Sequence, residues 1–456
     1  MKKIILSILF LPLICLGQTE TSGTYIGKSI KNLSFQNALG LALENNANVK
    51  VQSLERKAAK KIIYQNLALG LPSISIGQNY TDNIELPAQF FDIDGDGTNE
   101  KFQFGNRYNA VGGIGVNQLV FDGSYIVAVL ASKVLTDKAQ ENFEKSLLEA
   151  RRDVSQAYHL GIVLKRNQKA LKETLTSTEE SLKSLTALYE EGFIEKQEVD
   201  QLDLIVKNIQ INSVNLESQI FITHQLLILH CGLPPESKLE LTSSIESLLI
   251  SADASEALLT QSFDAGDHVD FRLMETNRQG QSLNVQNEKI KFLPKVYAGY
   301  NLNRQFVSEA ANVFDPNGLQ ANNVNFSSWN LSASLPIFNS GGRIAKIQEE
   351  QIKLKELDIL LDNTKLALVL NHNQARSEYS NALKIFQLQL KNVEVSKRIL
   401  NNSEAKLIEG TISSMDFAQA SNQYQESITS MLQAANNTLN KKVSLEISLG
   451  KYRLKN

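Results

Sequence analysis

The chain has 456 residues, a formal net charge of −3 and 21% charged residues, so no basic surface indicates nucleic-acid binding. The sequence contains no G-x-S-x-G motif and no P-loop, and its five histidines lack the H-E-x-x-H spacing of a zinc site. Its two cysteines, Cys15 and Cys231, cannot form a thiolate cluster. These features give no support for an enzyme or for a bound cofactor.

The first residues have the three regions of a secretory signal peptide. These are a basic pair at Lys2 and Lys3, an apolar run over residues 4–14, and a small residue, Gly17, at the cleavage position. Cys15 follows Ile14 rather than a small residue, which favours a chain without a lipid anchor. We expect residues 1–17 to be removed outside the cytoplasm. After them, no run of about 18 apolar residues predicts a transmembrane helix.

Several segments of the first half recur in the second half in the same order. The segment LGLPSISIGQNY at 69–80 corresponds to KFLPKVYAGYNL at 291–302, with the Leu-Pro pair displaced by 222 residues. The segment LYEEGFIEKQEVDQL at 188–202 corresponds to KLIEGTISSMDFAQA at 406–420, with its glycine displaced by 218 residues. The nearly constant displacement indicates an internal duplication.

Each repeat contains two runs in which apolar residues alternate with small or polar residues. The predicted strands cover residues 72–81, 111–121, 294–304 and 328–338. Runs of about 9 to 11 residues with one apolar face are typical of strands that span a lipid bilayer. A half-buried strand of a soluble protein gives the same pattern, so periodicity alone leaves both interpretations open.

Each repeat also predicts one helix of unusual length, because residues 124–188 and 344–407 contain no proline and are rich in leucine and lysine. Roughly 64 residues at about 1.5 Å each correspond to a helix of about 95 Å, longer than a globular core needs. After the glycines at 192 and 410, apolar residues recur at the spacing of a coiled-coil seam. The sequence therefore predicts two long helical hairpins, with tips near 190–198 and 408–416.

Four strands in one chain leave two open sheet edges, and each unpaired backbone amide costs several kcal/mol in hydrocarbon. Other copies of the chain must then close the sheet. Two copies give a barrel filled by side chains, whereas three copies leave room for a lumen.

The order of elements, its duplication, and the tip motifs EEGFIEKQEVDQL and IEGTISSMDFAQA resemble the TolC-like outer-membrane efflux proteins. The resemblance covers nearly the whole chain after the signal peptide. It implies a mixed α and β membrane protein: a homotrimer whose twelve-stranded β-barrel in outer-membrane lipid of a Gram-negative bacterium continues as a long periplasmic α-helical barrel. It also implies a passive exit duct for efflux or type I secretion that docks to a periplasmic adaptor and an inner-membrane pump.

The resemblance assigns adaptor docking to the two tips. The family's tip glycine corresponds to Gly192 in the first repeat and to Gly410 in the second. A glycine permits a tight reversal and a close approach of a partner backbone. The resemblance implies that the two residues after each glycine face the adaptor. These residues are Phe193, Ile194, Thr411 and Ile412.

The resemblance also places a periplasmic aperture at the tips. The family's aperture aspartate corresponds to Asp416, with Glu198 as its equivalent in the first repeat. Three copies of Asp416 would form an anionic ring that favours cations. Gln419 stands where some members carry a second acid, so we expect weaker selectivity than a double ring gives, with Asp200 an unaligned substitute. A solvated charge at the start of a helix is the alternative interpretation of Asp416.

The acidic segment FFDIDGDGTNE at 90–100 lies between the two strands of the first repeat, where a barrel has its longer outward loops. Its calcium-loop candidates, at positions 1, 3, 5 and 9 of such a loop, are Asp92, Asp94, Asp96 and Glu100. Position 12, normally a bidentate glutamate, is Gln103. A solvated, turn-rich loop is therefore the default prediction, with calcium as the alternative.

The expected domain organisation follows from the repeats. It comprises a signal peptide at 1–17, an N-terminal extension at 18–32, repeats at 33–233 and 256–450, a joining segment at 234–255 and a tail at 451–456. The joining segment and the tail are expected on the outside of the helical barrel. Two other functions remain open: a stand-alone porin, which the long helices disfavour, and a soluble periplasmic coiled-coil adaptor.

Overall fold

The structure is a computed structural model that describes residues 29–249 apart from 93, 94, 96 and 98, then residues 257–309, 311 and 322–450. The predicted signal peptide, residues 18–28 of the expected N-terminal extension and the expected tail at 451–456 lie outside the described residues. The last part of the expected joining segment, residues 250–255, also lies outside them.

The chain is built from long helices and one larger sheet. The elements of the first half are β1 (Ser29–Leu33), α1 (Phe35–Asn45), α2 (Ala47–Ala68), β2 (Ser73–Asp82), β3 (Ala88–Phe91), β4 (Glu100–Gln103), β5 (Tyr108–Phe121), α3 (Gly123–Glu190) and α4 (Lys196–His230). Those of the second half are β6 (Lys238–Leu241), α5 (Ile245–Leu248), a 3-10 turn (Ala265–Asp267), α6 (Val269–Ile290), β7 (Lys295–Ser308), β8 (Asn322–Ser334), α7 (Gly342–Ile408) and α8 (Ser414–Ser448).

The duplication read in the sequence is visible in these elements. Helix α2, strands β2 and β5, and helices α3 and α4 are followed in the same order by α6, β7, β8, α7 and α8. The paired helices have nearly equal lengths: 22 and 22, 68 and 67, and 35 and 35 residues. The two repeats therefore share one architecture.

The four strands of the two repeats form one antiparallel sheet in the order β2, β5, β7, β8. One cross-strand row contains Ile74, Val116, Tyr300 and Trp329, and the next contains Ser75, Gly115, Asn301 and Ser328. Because successive side chains of a strand point to opposite faces, this register gives the sheet one apolar face and one small or polar face.

The strand bounds differ from the sequence prediction most clearly in the second repeat. Strand β7 continues to Ser308 instead of ending near 304, and β8 covers Asn322–Ser334 instead of 328–338. Pro336 has no backbone N–H to donate to a neighbouring strand, so it lies beyond the end of β8. At the other end, Val324 and Phe326 alternate with polar residues but lie on the face opposite Trp329, so the phase of alternation used for the prediction reverses there.

The helices form two long hairpins. Helix α3 has 68 residues, which corresponds to about 100 Å at about 1.5 Å per residue. It packs against α4, while α7 packs against α8, and the two hairpins contact each other mainly through α3 and α8. The seam between α3 and α4 contains Leu164, Leu171, Ile209 and Leu216.

The described part of the joining segment, residues 234–249, is anchored to the rest of the chain through the buried Leu241 and Ile245. Strand β6 pairs in parallel with β1, so residues on both sides of the first repeat meet. The buried Tyr158 hydroxyl of α3 donates to the carbonyl oxygen of Leu33 at 2.8 Å, and Lys165 donates to that of Leu241 at 2.8 Å. The largest buried cluster lies here and includes Leu33, Tyr158, Leu227, Leu241 and Leu439.

Candidate functional site at the paired hairpin tips

Each long hairpin reverses at a glycine in the left-handed backbone region, Gly192 with φ of +80° and Gly410 with φ of +69°. The N–H of Gly192 donates to the carbonyl of Tyr189 at 2.9 Å, and that of Phe193 donates to the carbonyl of Leu188 at 2.9 Å. The second tip repeats the pattern with bonds of 3.0 and 2.9 Å. This is the Schellman motif, in which a glycine lets the last carbonyls of a helix find partners without side-chain strain.

The two hairpins begin their second helices differently. Glu195, which precedes α4, makes no capping bond with its side chain. Ser413, which precedes α8, accepts the N–H of Asp416 at 3.2 Å, and the Asp416 carboxylate accepts the N–H of Ser413 at 3.2 Å and its hydroxyl at 2.8 Å. These reciprocal bonds form a capping box. Asp416 thus stabilises the start of α8 while its side chain remains exposed.

A hydrogen bond joins the two tips. The Glu198 carboxylate accepts the backbone N–H of Ser414 at 2.6 Å. Ser414 is the first residue of α8, where N–H groups have no partner within the helix. A negative charge at this position is also favoured by the helix dipole. Helix α4 therefore provides a second carboxylate to the start of α8.

An apolar cluster lies behind this hydrogen bond and contains one residue from each long helix: Leu185, Leu202, Leu407 and Phe417. Ile194 and Ile412, two residues after the tip glycines, are half-buried against it. A cavity of about 450 Å³ lies between the tips, with Glu195, Glu198 and Asp416 in its wall. The tips thus form one packed unit.

The structure separates the four residues predicted to face the adaptor. Phe193, with 72% of its surface exposed, and Thr411 face solvent. Ile194 and Ile412 instead pack inward, because the chain turns back over the apolar seam two residues after each glycine. Of the residues predicted to dock the adaptor, the two glycines, Phe193 and Thr411 are therefore the exposed ones.

The four predicted aperture residues lie on the first two turns of α4 and α8. Asp200, Asp416 and Gln419 are exposed, whereas Glu198 is half-buried by its bond to Ser414. The sequence prediction missed the role of Ser413. Its signal was available, because S-S-M-D at 413–416 has the S-x-x-D spacing of a capping box. No sequence pattern indicates the bond between Glu198 and Ser414.

The apolar face of the sheet is uncovered in the single chain. Ile74, Ile76 and Trp329 are 73%, 82% and 77% exposed, respectively. Among the helices of the described residues, none combines the length and the apolar composition needed to cross a bilayer. An uncovered apolar face beside a small or polar face is typical of a strand with lipid on one side and water on the other.

The acidic loop of the first repeat is the turn of a short hairpin that the sequence did not predict. Strands β3 and β4 pair with Phe91 opposite Glu100, and the Asp92 carboxylate accepts the N–H groups of Gly95 at 2.8 Å and Gly97 at 3.0 Å. Asp94 and Asp96 lie outside the described residues. Within the described part of the chain, no group of three or more His, Cys, Asp or Glu side chains could hold a metal ion. The calcium site stays a prediction.

Comparison with protein families gives the decisive match. The sequence profile of a family described as outer membrane efflux protein matches residues 38–232 and 267–451, one range in each repeat. The chain belongs to the outer membrane efflux protein family. The resemblance seen in the tip motifs is thereby confirmed. A comparison with curated protein sequences finds no match for this outer membrane efflux protein.

Solved structures show the same fold. The outer membrane protein VceC from Vibrio cholerae matches with a TM-score of 0.68 and 14% identity, over 91% of this chain and 96% of VceC. The Campylobacter jejuni outer membrane channel CmeC matches with a TM-score of 0.68 and 15% identity, over 91% and 85%. The open state of the Neisseria gonorrhoeae outer membrane channel MtrE gives 0.68 and 14%, over 91% and 88%.

These matches confirm the predicted fold class, the efflux-channel function and the outer-membrane location. This outer membrane efflux protein is therefore a channel subunit of the outer membrane. The family is one of channels, which agrees with a sequence that lacks enzyme motifs.

Proposed function

We propose that this outer membrane efflux protein acts as a homotrimeric, passive exit duct that receives its substrate from an inner-membrane pump through a periplasmic adaptor. The observation that carries the proposal is the four-stranded sheet with one apolar face. Among the described residues, its edge strands β2 and β8 have one neighbouring strand each. Each unpaired edge group costs several kcal/mol in hydrocarbon. Pairing of β8 with β2 of the next copy removes both edges, and four strands from each of three copies make a twelve-stranded barrel.

The helices support the same assembly, because α4 and α7 have uncovered apolar residues. On α7, Ile352, Ile359 and Leu366 recur every seven residues, and each is more than half exposed. Seven-residue spacing is typical of a seam between two helices. The exposed apolar residues of α4 include Leu204, Ile211, Val214 and Phe221. In the proposed trimer, α7 of one copy packs against α4 of the next.

We assign the adaptor contact to the exposed part of the tips. At Gly192 and Gly410 an added Cβ would meet no atom within 4 Å, so the fold requires these glycines for their positive φ and not for space. The open space beside them suits the backbone of a partner hairpin. Phe193 and Thr411 then provide the side-chain contacts, while Ile194 and Ile412 hold the tips together.

The aperture is assigned to the same tips. Three copies of the exposed Asp416 around the axis form an anionic ring that favours cations, and the bond between Glu198 and Ser414 holds the two hairpins of each copy together. In this assignment the repeat units at 33–233 and 256–450 each supply two barrel strands and one hairpin. The duct itself provides no energy, which comes from the pump.

The trimer and its channel are tested with protein purified in detergent. Its mass is expected to correspond to three chains, and in a planar bilayer it is expected to give small, cation-selective steps that grow in Asp416→Ala. A soluble adaptor would leave the membrane with salt alone and give no steps. A porin would give large, weakly selective steps that do not respond to Asp416→Ala.

The docking surface is tested separately by export from cells. Phe193→Asp places a charge on the exposed tip and is expected to reduce export while the trimer and its conductance remain intact. The matched control is Phe292→Asp, which changes a partly exposed phenylalanine far from the tips, at the end of α6. Equal loss of export in both variants, or none in Phe193→Asp, would remove the docking role from Phe193.

A further inference from the structure

Asparagines on the small or polar face of the sheet lie over glycines of the neighbouring strands. The register places Gly299 between Asn117 and Asn330. A Cβ added at Gly299 would lie 2.5 Å from Oδ1 of Asn330 and 3.3 Å from Oδ1 of Asn117. The two amides therefore occupy the space that a side chain at residue 299 would need.

The same arrangement recurs along β5 and β7. Asn301 lies opposite Gly115, and a Cβ added there would be 3.0 Å from Oδ1 of Asn301. Asn303 lies opposite Gly113, where an added Cβ would overlap the asparagine amide. By contrast, Gly112 on the apolar face has no atom within 4 Å of an added Cβ. The glycines on the polar face thus let the asparagine side chains lie flat against the sheet.

Five cross-strand rows of this face begin at Ser73, Ser75, Gly77, Asn79 and Thr81 of β2, and none of them contains a charged side chain. Apart from the glycines, its members are Ser73, Ser75, Asn79, Thr81, Asn109, Val111, Asn117, Asn301, Asn303, Gln305, Val307, Asn322, Val324, Phe326, Ser328 and Asn330. Gln305 donates to Oδ1 of Asn109 at 3.0 Å, so amides also bond to each other across the strands. The polar character of the face comes mainly from amides.

We propose that Asn117, Asn301, Asn303 and Asn330 form a neutral amide wall of the transport path through the barrel, and that the facing glycines set its bore. This inference rests on the proposed trimeric duct, in which the apolar face contacts lipid and the opposite face lines the lumen. An amide offers both donors and acceptors, so the wall hydrogen-bonds hydrated solutes of either charge. Discrimination by charge is then left to the carboxylates at the tips.

The position of the wall is tested by thiol labelling in a planar bilayer. Asn301→Cys and its neighbour Leu302→Cys point to opposite faces and form a matched pair. Both are made in the Glu198→Ala variant, which lacks the hydrogen bond between the tips and is expected to conduct more. The narrow tips then contribute less of the channel's electrical resistance, and a change in the barrel can be measured. Cys231 does not interfere, because it is fully buried and burial raises the pKa of its thiol to about 12.

A charged, membrane-impermeant methanethiosulfonate reagent is expected to reduce the current of Asn301→Cys channels and to leave Leu302→Cys channels unchanged. Block of Leu302→Cys without block of Asn301→Cys would overturn the assignment of the faces. A wild-type protein that forms no channel at all would overturn the proposed function itself, and the amide wall with it.

The role of the glycines is tested by conductance in the same background. Gly299→Ala pushes two amides per chain toward the lumen and is expected to lower single-channel conductance. Gly112→Ala, on the opposite and open face, is expected to leave conductance unchanged. Asn330→Ala removes an amide without adding bulk and is expected to raise conductance, which keeps the test valid if Gly299→Ala fails to assemble. If assembled Gly299→Ala and Asn330→Ala channels both had the conductance of the Glu198→Ala parent, the proposal would be overturned.

Discussion

The carboxylate of Glu198 and the backbone N–H of Ser414, 216 residues apart in the chain, are joined by a hydrogen bond of 2.6 Å. Each repeat supplies one partner, so the bond connects the two helical hairpins at their tips. Hydrogen bonds to charged groups contribute roughly 1.5–3 kcal/mol when both partners are positioned by the fold. This bond is therefore strong enough to influence how far the hairpins separate.

Glu198→Ala is expected to increase single-channel conductance, because it removes this bond and frees the start of α8. The matched control is Glu195→Ala, which removes a carboxylate from the same tip where no side-chain capping bond exists. Recordings in planar bilayers compare the two variants. An equal increase in both would show that net charge, and not the bond, controls the opening.

Asp416 has two roles that substitution can separate. Asp416→Asn keeps an oxygen that accepts the Ser413 N–H but removes the charge, whereas Asp416→Ala removes both. Both variants are expected to shift the reversal potential toward that of an unselective channel, and Asp416→Ala is expected to lose about 1 kcal/mol more helix stability than Asp416→Asn, because it also removes the hydrogen bond to Ser413. Full cation selectivity in Asp416→Asn would show that Asp416 is only a capping residue.

The features that the sequence predicted depend on local chemistry. A glycine after a long apolar-periodic segment indicates a helix end, and Gly192 and Gly410 both have the positive φ that this end requires. The predicted faces of the strands also follow from alternation, as the row with Ile74 and Trp329 shows. Over residues 322–327 the apolar residues Val324 and Phe326 lie on the face opposite Trp329, so a prediction that followed the phase of Trp329 began the strand too late.

The features that the sequence did not predict join distant parts of the chain. The Glu198 bond requires that α4 and α8 pack side by side, and the glycine under Asn330 is known only from the register of β7 and β8. The pairing of β1 with β6 likewise spans the whole first repeat. No residue pattern within one segment contains this information.

His159 gives the protein a defined acid sensitivity. It is buried in α3 with Nδ1 2.9 Å from Oδ1 of Asn440, and burial lowers its pKa to about 4, with Lys442 acting in the same direction. In the unfolded chain a histidine has its ordinary pKa of about 6.5, so the unfolded state binds a proton first as pH falls. This histidine therefore reduces the free energy of unfolding between about pH 6.5 and 4, by up to about 3 kcal/mol.

The measurement is thermal unfolding in detergent at pH 7.5 and at pH 5. The wild-type Tm is expected to fall more over this interval than that of His159→Gln, which keeps a polar side chain next to Asn440 but does not titrate. The same fall in both proteins would assign the acid sensitivity to other groups.

Gly232→Ala is expected to destabilise the protein much more than Gly410→Ala, although both glycines have positive φ, +62° and +69°. Each alanine pays about 1 kcal/mol for the left-handed backbone. At Gly410 an added Cβ meets nothing within 4 Å, whereas at Gly232 it would overlap the backbone carbonyl of Asn45. That carbonyl cannot rotate away as a side chain can, because the adjacent Asn46 side chain donates to the carbonyl of His230 at 3.0 Å and holds the end of α1 in place.

Thermal unfolding followed by far-UV circular dichroism compares these two variants. Gly410→Ala is expected to lose a few degrees of Tm, and Gly232→Ala to lose considerably more or to fail to assemble. Removing the Asn46 bond with Asn46→Ala frees the end of α1, so the double variant with Gly232→Ala should lose less than the sum of the two single losses. Equal losses for the two glycines, or strict additivity in the double variant, would show that the end of α1 moves aside without cost.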